Sequence, residues 1–337
     1  MMKPGPRNLI TDVDGLLVGN AEDRTLKSGV TAVLCQDPAV ASVQVLGGAP
    51  GTRETDLLEP HNTVGAVHAL TLSGGSAFGL DAASGVQSAL RERQIGFEIG
   101  PHIIPVVPGA IIFDLTSGGK KEWELHPPYR DLGYAAATSA AVDFEIGSFG
   151  AGTGTTTADL KGGLGSASTV LDNGLTIGAL VAVNPIGTAN VGGGAHFWAA
   201  PFELDGEFGG LGLPSPLPAS ATEVVIDQNL SDSPLANSTI AVIATNAVLT
   251  KAEAKRLAVA THDGFTRAIW PTHMPTDGDL IFAVATGRSG VRLGLASFSA
   301  LCAASAATMT RAIARGVYSA HAEPDDVKPT WQAKFGS

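Results

Sequence analysis

The chain has 337 residues, enough for two ordinary domains or one large α/β unit, and its 44% hydrophobic content can build a substantial core. Charged residues make up only 16% and the net charge is −11, with no Lys/Arg cluster that would track phosphates; nucleic acid and anionic membrane are therefore poor partners. The two cysteines, Cys35 and Cys302, sit in apolar runs and read as small buried hydrophobes, so neither a disulfide framework nor a CxxC metal spacing exists.

The N-terminus has no apolar signal-peptide core, and no membrane-length apolar run is free of Gly, Pro or charge. A cytoplasmic protein is the expectation. The sparse surface charge also fits a chain that hides part of itself in a homo-oligomer.

In chain order, residues 30–35 and 42–46 are expected strands separated by Gln-Asp-Pro, and 47–60 a loop of Gly, Pro and charge. Residues 76–93 read as a helix of small residues, 103–107 and 110–115 as strands, and 129–141 as an alanine-rich helix. A Gly/Thr-rich stretch over 147–165 leads to a strand at 175–183, ended by Asn184-Pro185. Residues 192–233 are loop-heavy, and a loop of that length is commonly functional or exposed. Then come a strand at 239–248 and a helix opened by a Thr250/Glu253 capping box and running to Trp270-Pro271. A strand at 279–286 and an Ala-rich helix at 299–317 close the pattern. Strands with helices interspersed predict an α/β chain of sandwiched layers with no internal repeat.

Familiar catalytic signatures are incomplete. Gly74-Gly75-Ser76-Ala77-Phe78 misses GxSxG at its last position and opens a helix, so Ser76 reads as an N-cap before it reads as a nucleophile. No GxGxxG, P-loop or HExxH occurs, and His262, His273, Asp277 and Asp279 match no metal-ligand spacing. No metal or organic cofactor is expected.

Asn237-Ser238-Thr239 stands at the junction of an expected exposed loop, which includes residues 231–236, and a buried strand. Such a serine can attack its own preceding carbonyl in an N-to-O acyl shift. Hydrolysis of the ester then frees an α-amino group with an ordinary pKa of about 8, able to act as base for its own hydroxyl. The same tripeptide is also ordinary turn chemistry. Asp277-Gly278-Asp279 supplies two carboxylates that face one way if the segment is extended, placed to hold that ammonium and orient the hydroxyl, or simply to cap the next strand.

Eight blocks spread over most of the chain carry a resemblance: NLITDVDG from Asn8, SGVTAV from Ser28, GGAPGTRETD from Gly47, LSGGSAFGL from Leu72, VPGAIIFD from Val107, AVNPIG from Ala182, NSTIAVIATN from Asn237 and DGDLIFAVATG from Asp277. Together they resemble the DmpA-type family of L-aminopeptidase/D-esterases, which includes β-aminopeptidases and the 6-aminohexanoate-oligomer endohydrolase. The resemblance implies an αββα sandwich of the DmpA/ornithine-acetyltransferase-like type, akin to N-terminal-nucleophile hydrolases. It implies one self-processing unit, residues 1–337, that cleaves into an α chain of 1–237 and a β chain of 238–337 and assembles as a homo-oligomer, often a tetramer of αβ units.

Residue by residue, the resemblance makes Ser238 the nucleophile and new N-terminus and Asn184 the group that polarises the reacting carbonyl. Lys161 matches a lysine lining the site, and Asp277 and Asp279 an acidic pair. Phe113 stands where some members carry an oxyanion-binding Tyr, so Asn184 and backbone N–H groups must suffice or the oxyanion hole is built differently. Gly74, Gly75 and Ser76 are candidate substrate-binding residues. The expected activity is hydrolysis of amide, peptide or ester bonds in small amino-acid derivatives or oligomers through an acyl-enzyme. The alternatives are an N-acyl transferase of the ornithine-acetyltransferase type and a non-enzymatic oligomeric binding protein.

Overall fold

In the strand Ile240–Thr245, alternate residues face two different apolar layers. Ile240, Val242 and Ala244 join one buried cluster, while Ala241 and Ile243 join another. A strand covered on both faces must lie inside a multilayer fold. The computed structural model, which describes residues 2–225 and 237–336, shows that fold to be a four-layer αββα sandwich.

The strands are β1 Leu16–Asp23, β2 Ser28–Val45, β3 Thr52–Arg53, β4 Val67–Ser73, β5 Phe97–Ile99, β6 His102–Ile104, β7 Gly109–Ile111, β8 Gly163–Val170, β9 Thr176–Val183, β10 Ile240–Thr245 and β11 Leu280–Ala285. The α-helices are α1 Ala82–Glu92, α2 Tyr129–Thr138, α3 Lys251–Ala268, α4 Leu295–Tyr318 and α5 Trp331–Phe335. Strand pairing runs β3-β7-β4-β2-β11-β10-β9-β8, with β1 on the other edge of the first half of β2. The long β2 ties the two sheets together: its residues 28–35 pair with β1, 30–39 with β4 and 40–45 with β11, and its register shifts between Leu34 and Ala39.

Three apolar clusters match the three gaps between four layers. Val30, Ala32 and Leu34 meet α1 and α2 through Val86, Ala89 and Ala136. Val18, Val33 and Leu70 of one sheet meet Leu180, Val242 and Phe282 of the other. Ile177, Ile243 and Ile281 meet α3 and α4 through Leu257, Phe265, Met309 and Ile313. Small residues let the layers approach closely: a Cβ at Gly165 would fall 1.9 Å from the Ala312 carbonyl oxygen of α4.

Several expectations are met in kind. The helix at 129 ends at Thr138, β9 and β11 stand where expected, and the Thr250/Glu253 capping box forms with both reciprocal bonds. Others are corrected. The two strands expected at 30–35 and 42–46 are one strand, because β2 bends across Gln36–Pro38 without ending. The expected helix from Ser76 begins as a 3-10 segment, Ser76–Asp81, capped by Gly75 at φ +86°, so Ser76 is not the N-cap. Strands β1, β4 and β8 stand in stretches assigned no strand. Cys35 is buried, its thiol pushed up to about 12 by burial, whereas Cys302 is only half-buried. Residues 231–236 of the expected exposed loop lie outside the described residues.

Candidate active site

The end of β9 and the starts of β10 and β11 converge on Ser238. Strands β10 and β11 are parallel and in register, Ile240 opposite Leu280, so the residues ahead of each strand also meet: Asn237 bridges Asp277. Antiparallel β9 lies on the other flank of β10, which brings Asn184 to the Ser238 backbone. The Ser238 N–H donates to the Asn184 carbonyl at 2.8 Å, and the Gly278 N–H donates to the Asn237 carbonyl at 2.7 Å. The Asn237 side chain donates to Pro185 O at 3.2 Å. The peptide bond between Asn237 and Ser238 is thus held from both sides.

Ser238 is fully buried, and its hydroxyl has no hydrogen-bond partner among the described residues. Room for it exists because residue 278 is glycine: a Cβ there would stand 2.4 Å from the Ser238 Oγ. The 46–49 turn packs over the same spot. Leu46 and Gly47 donate to Asp279 O, and Ala49 N donates to Asp277 O at 2.8 Å.

The Asn184 side chain is fixed at both ends. Its Oδ1 accepts from the Thr156 N–H at 2.9 Å, and its Nδ2 donates to the Phe113 carbonyl at 3.1 Å. Phe113 therefore contributes through its backbone, by orienting an amide, where a Tyr would contribute a hydroxyl. Its neighbour Asp114 is fully buried and ties Gly74–Ser76 to the site: it accepts from Gly75 N at 2.8 Å and Ser28 Oγ at 2.6 Å. Burial pushes the Asp114 carboxyl upward, against the opposing charge of Lys121 and these hydrogen bonds. Ser76 itself is half-buried, with its N–H on Ile112 O.

Asp277 and Asp279 do face one way, but not toward the Ser238 hydroxyl. The alternation that sends Ile240 and Leu280 into the inter-sheet layer sends Ser238 and Gly278 with them, and the two carboxylates toward α3. Asp277 accepts from Ile186 N at 3.2 Å and Met274 N at 3.0 Å. Asp279 accepts from Thr239 N at 2.7 Å and, on its other oxygen, from Thr272 Oγ1, His273 N and His273 Nδ1 at 2.9 to 3.0 Å. Both are fully buried. Burial first, and the neighbouring Asp279 charge second, raise the Asp277 pKa to about 7. In the continuous chain the pair thus braces backbone and does not orient the hydroxyl.

Lys161 reaches the site through its backbone, since it bridges Thr156, which holds Asn184. Its ammonium is held by both oxygens of Asp326 at 2.9 Å. Residues without an assigned role in the sequence reading are Gly278, Thr156, Thr272, His273 and Asp114. Gly278 lies inside the acidic motif, Asp114 closes the VPGAIIFD block and His273 enters the sequence reading only as an unmatched metal ligand, whereas Thr156 and Thr272 carry no signal. His273 and His262 do lie together, with ring centroids 4.8 Å apart, and His273 reaches Asp279. Among the described residues, however, no three His, Cys, Asp or Glu side chains are grouped to hold a metal ion. Among them, too, no helix is long and apolar enough to cross a membrane.

A model described as peptidase family S58 matches residues 8–325. The chain is 41% identical to an uncharacterized aminopeptidase of Mycobacterium tuberculosis, over 97% of this chain and 98% of that protein. It is 28% identical to a 6-aminohexanoate-oligomer endohydrolase of Kocuria sp., over 84% of this chain and 76% of that protein. In fold it resembles a β-aminopeptidase of Burkholderia sp., with a TM-score of 0.69 at 21% identity, covering 100% of this chain and 94% of that one. It also resembles the L-aminopeptidase D-Ala-esterase/amidase of Ochrobactrum anthropi, described as a variant of the Ntn hydrolase fold. That TM-score is 0.67 at 22% identity, covering 96% and 90%. The family model spans both the β9 end and the β10–β11 entry that build this site, and the chain belongs to peptidase family S58 and is a peptidase.

Proposed function

We propose that the chain is a serine N-terminal-nucleophile aminopeptidase or amidohydrolase that activates itself by cleavage between Asn237 and Ser238. The observation that carries this reading is the buried, unpartnered Ser238 hydroxyl beside a peptide bond whose carbonyl already accepts from the Gly278 N–H. In processing, the Ser238 Oγ attacks the Asn237 carbonyl carbon and the C–N bond breaks, leaving an ester and a free α-amine. Gly278 N–H steadies the oxyanion that develops on Asn237 O. Water then hydrolyses the ester.

In turnover the new amine takes the Ser238 hydroxyl proton as that oxygen attacks the substrate carbonyl. The amide of Asn184 carries two N–H donors, one engaged by Phe113, so the second is free in principle to meet the substrate oxyanion. The amine returns the proton to the leaving group, and water hydrolyses the acyl-enzyme. Relatives named aminopeptidase and endohydrolase support water as the acceptor and small amides, peptides or esters of amino acids as substrates.

The purified protein should separate into residues 1–237 and 238–337, the smaller being roughly 10 kDa, its share of 34.2 kDa. N-terminal sequencing of that fragment should read Ser-Thr-Ile-Ala. A different start, or a chain that stays whole while turning over substrate, removes Ser238 from this role.

A further inference from the structure

Beside the Ser238 site lies a concentration of cations that a protein of net charge −11 shows nowhere in its linear sequence. Lys27 and Lys161 are almost fully buried, with side chains 5% and 4% exposed, and both hold one carboxylate. Lys27 Nζ donates to Asp326 Oδ1 at 2.6 Å, and Lys161 Nζ donates to both Asp326 oxygens at 2.9 Å. Lys27 has a left-handed backbone, φ +53°, uncommon for a residue with a side chain. Its carbonyl accepts from Lys121 Nζ at 2.9 Å. Two buried ammonium groups so close together need an anion between them at all times.

That anion is supplied by the segment between α4 and α5. Asp326 receives the Glu323 N–H at 2.7 Å, and Glu323 itself pairs with Arg24 and lies 3.6 Å from Lys161. Burial works to raise the Asp326 carboxyl, but the hydrogen bonds from Lys27, the Glu323 N–H and Lys161 outweigh it and hold it below its ordinary value. Asp326 and Val327, with Lys161 and the Thr153–Thr156 loop, line a cavity of only about 10 Å³, which Asp326 leaves almost filled. Thr156 bridges Lys161 and holds Asn184, which accepts the Ser238 N–H. A cleft of about 680 Å³ is lined by Arg24, Lys27 and Lys120 together with Glu323, Pro324 and Asp325.

We propose that Lys27 and Lys161 form a carboxylate-binding subsite of the active centre, that Asp326 occupies it in cis, and that the substrates are amides carrying a free carboxylate, which displaces Asp326. The substrate half of this inference rests on the hydrolase reading above. The outer cleft carries Arg24, Lys27 and Lys120 beside Glu323 and Asp325, so its cations locally offset the net negative charge that opposes an anionic substrate. Asp326 acts as a tethered competitor, so productive binding requires a carboxylate that outbids it.

The subsite is tested without turnover by calorimetric titration of glutarate into wild type, Asp326→Asn and Asp326→Asn/Lys27→Met. Asp326→Asn should bind glutarate at least about tenfold more tightly than wild type, the scale on which a tethered ligand at millimolar effective concentration competes. The double variant should lose that gain. Equal affinity in wild type and Asp326→Asn, or a gain kept in the double variant, overturns the subsite. If Asp326→Asn does not fold, glutarate and glutaramide are compared as protectors of the wild-type melting temperature. Protection by glutarate alone supports the subsite, and equal effects overturn it.

The substrate class is tested by the kcat/KM ratio of Ala-Ala over Ala-Ala amide. That ratio should exceed one in wild type and rise further in Asp326→Asn. A ratio insensitive to the variant overturns the substrate class. If wild type hydrolyses neither compound, the hydrolase reading fails for such peptides, while the titration still decides the subsite.

Discussion

The Gly278 N–H points at the Asn237 carbonyl oxygen from 2.7 Å, while the missing Gly278 side chain leaves the space that the Ser238 hydroxyl fills. One residue therefore serves both reacting atoms of the proposed self-cleavage. Its N–H stands where negative charge develops, and its lack of a Cβ admits the nucleophile.

Gly278→Ala tests that double duty. The added methyl would lie 2.4 Å from Ser238 Oγ and 2.7 Å from Ala49 O, so the strand entry must shift and the N–H must leave its line to Asn237 O. Processing should slow about 10²–10³-fold, the usual loss when one oxyanion donor is removed. Time-resolved denaturing gels of freshly made protein check this. A variant that cleaves at the wild-type rate removes Gly278 from the mechanism.

Ser238→Ala should stay a single chain and hydrolyse nothing, because one hydroxyl serves both steps. Its circular dichroism and melting profile should remain near those of unprocessed wild type, since the Oγ makes no hydrogen bond among the described residues. Ser238→Thr and Ser238→Cys keep a nucleophile and should retain partial processing. Activity in Ser238→Ala would shift attention to Ser76.

The layers of the sandwich were readable where apolar runs are continuous, as in β9, β10 and β11, and where a helix announces its start, as at Thr250. Strands β1 and β4 went unassigned. In β1, Asn20, Glu22 and Asp23 break the apolar pattern yet serve as side-chain acceptors for Thr31, Gly150 N and Leu26 N respectively. β8 was hidden by its glycines, which exist to let α4 approach, a tertiary reason that local propensity does not contain. At the site, Ser238, Asn184 and the Asp277–Asp279 motif were legible because each stands at a strand end. The His273 contact to Asp279 and the Lys27–Asp326–Lys161 cluster were not, since the latter joins residues separated by up to 299 positions.

The acidic pair should divide in its effect on stability, whereas the sequence reading treats the two carboxylates alike. Asp277 has its pKa raised to about 7 from an ordinary 3.8, so the native state favours its neutral form. That contribution is complete below about pH 4 and is lost as pH rises through about 7, with a slope of at most about 1.4 kcal/mol per pH unit. On the Ser238→Ala background, Asp277→Asn should therefore lose less stability than its parent between pH 5 and pH 8. Asp279 accepts four hydrogen bonds, and Asp279→Asn turns one acceptor oxygen into a donor. It should lose about 1–3 kcal/mol of stability and so melt lower at both pH values. Thermal melts of the three proteins at both pH values check this. Parallel pH profiles for Asp277→Asn and its parent would refute the burial argument.

Asn184 offers the sharpest separation of catalysis from architecture. Its backbone carbonyl receives the Ser238 N–H, its Oδ1 receives the Thr156 N–H, and its Nδ2 donates to Phe113 O. Asn184→Asp keeps the first two and alters only the donor. A protonated aspartic acid can still donate to Phe113, but it has no second hydrogen for a substrate oxyanion. Once ionised, it faces both that carbonyl and the developing charge with like sign. Turnover by the processed enzyme should fall about 10²–10³-fold, and the deficit should deepen as pH rises and the carboxyl ionises. If Asn184 is only a strut, the loss will instead follow the melting temperature and keep the same size at every pH where the protein is folded. Measuring kcat and the melting temperature on one preparation from pH 5 to 8 distinguishes the two, because only an oxyanion donor ties the rate, and not the fold, to the charge of residue 184.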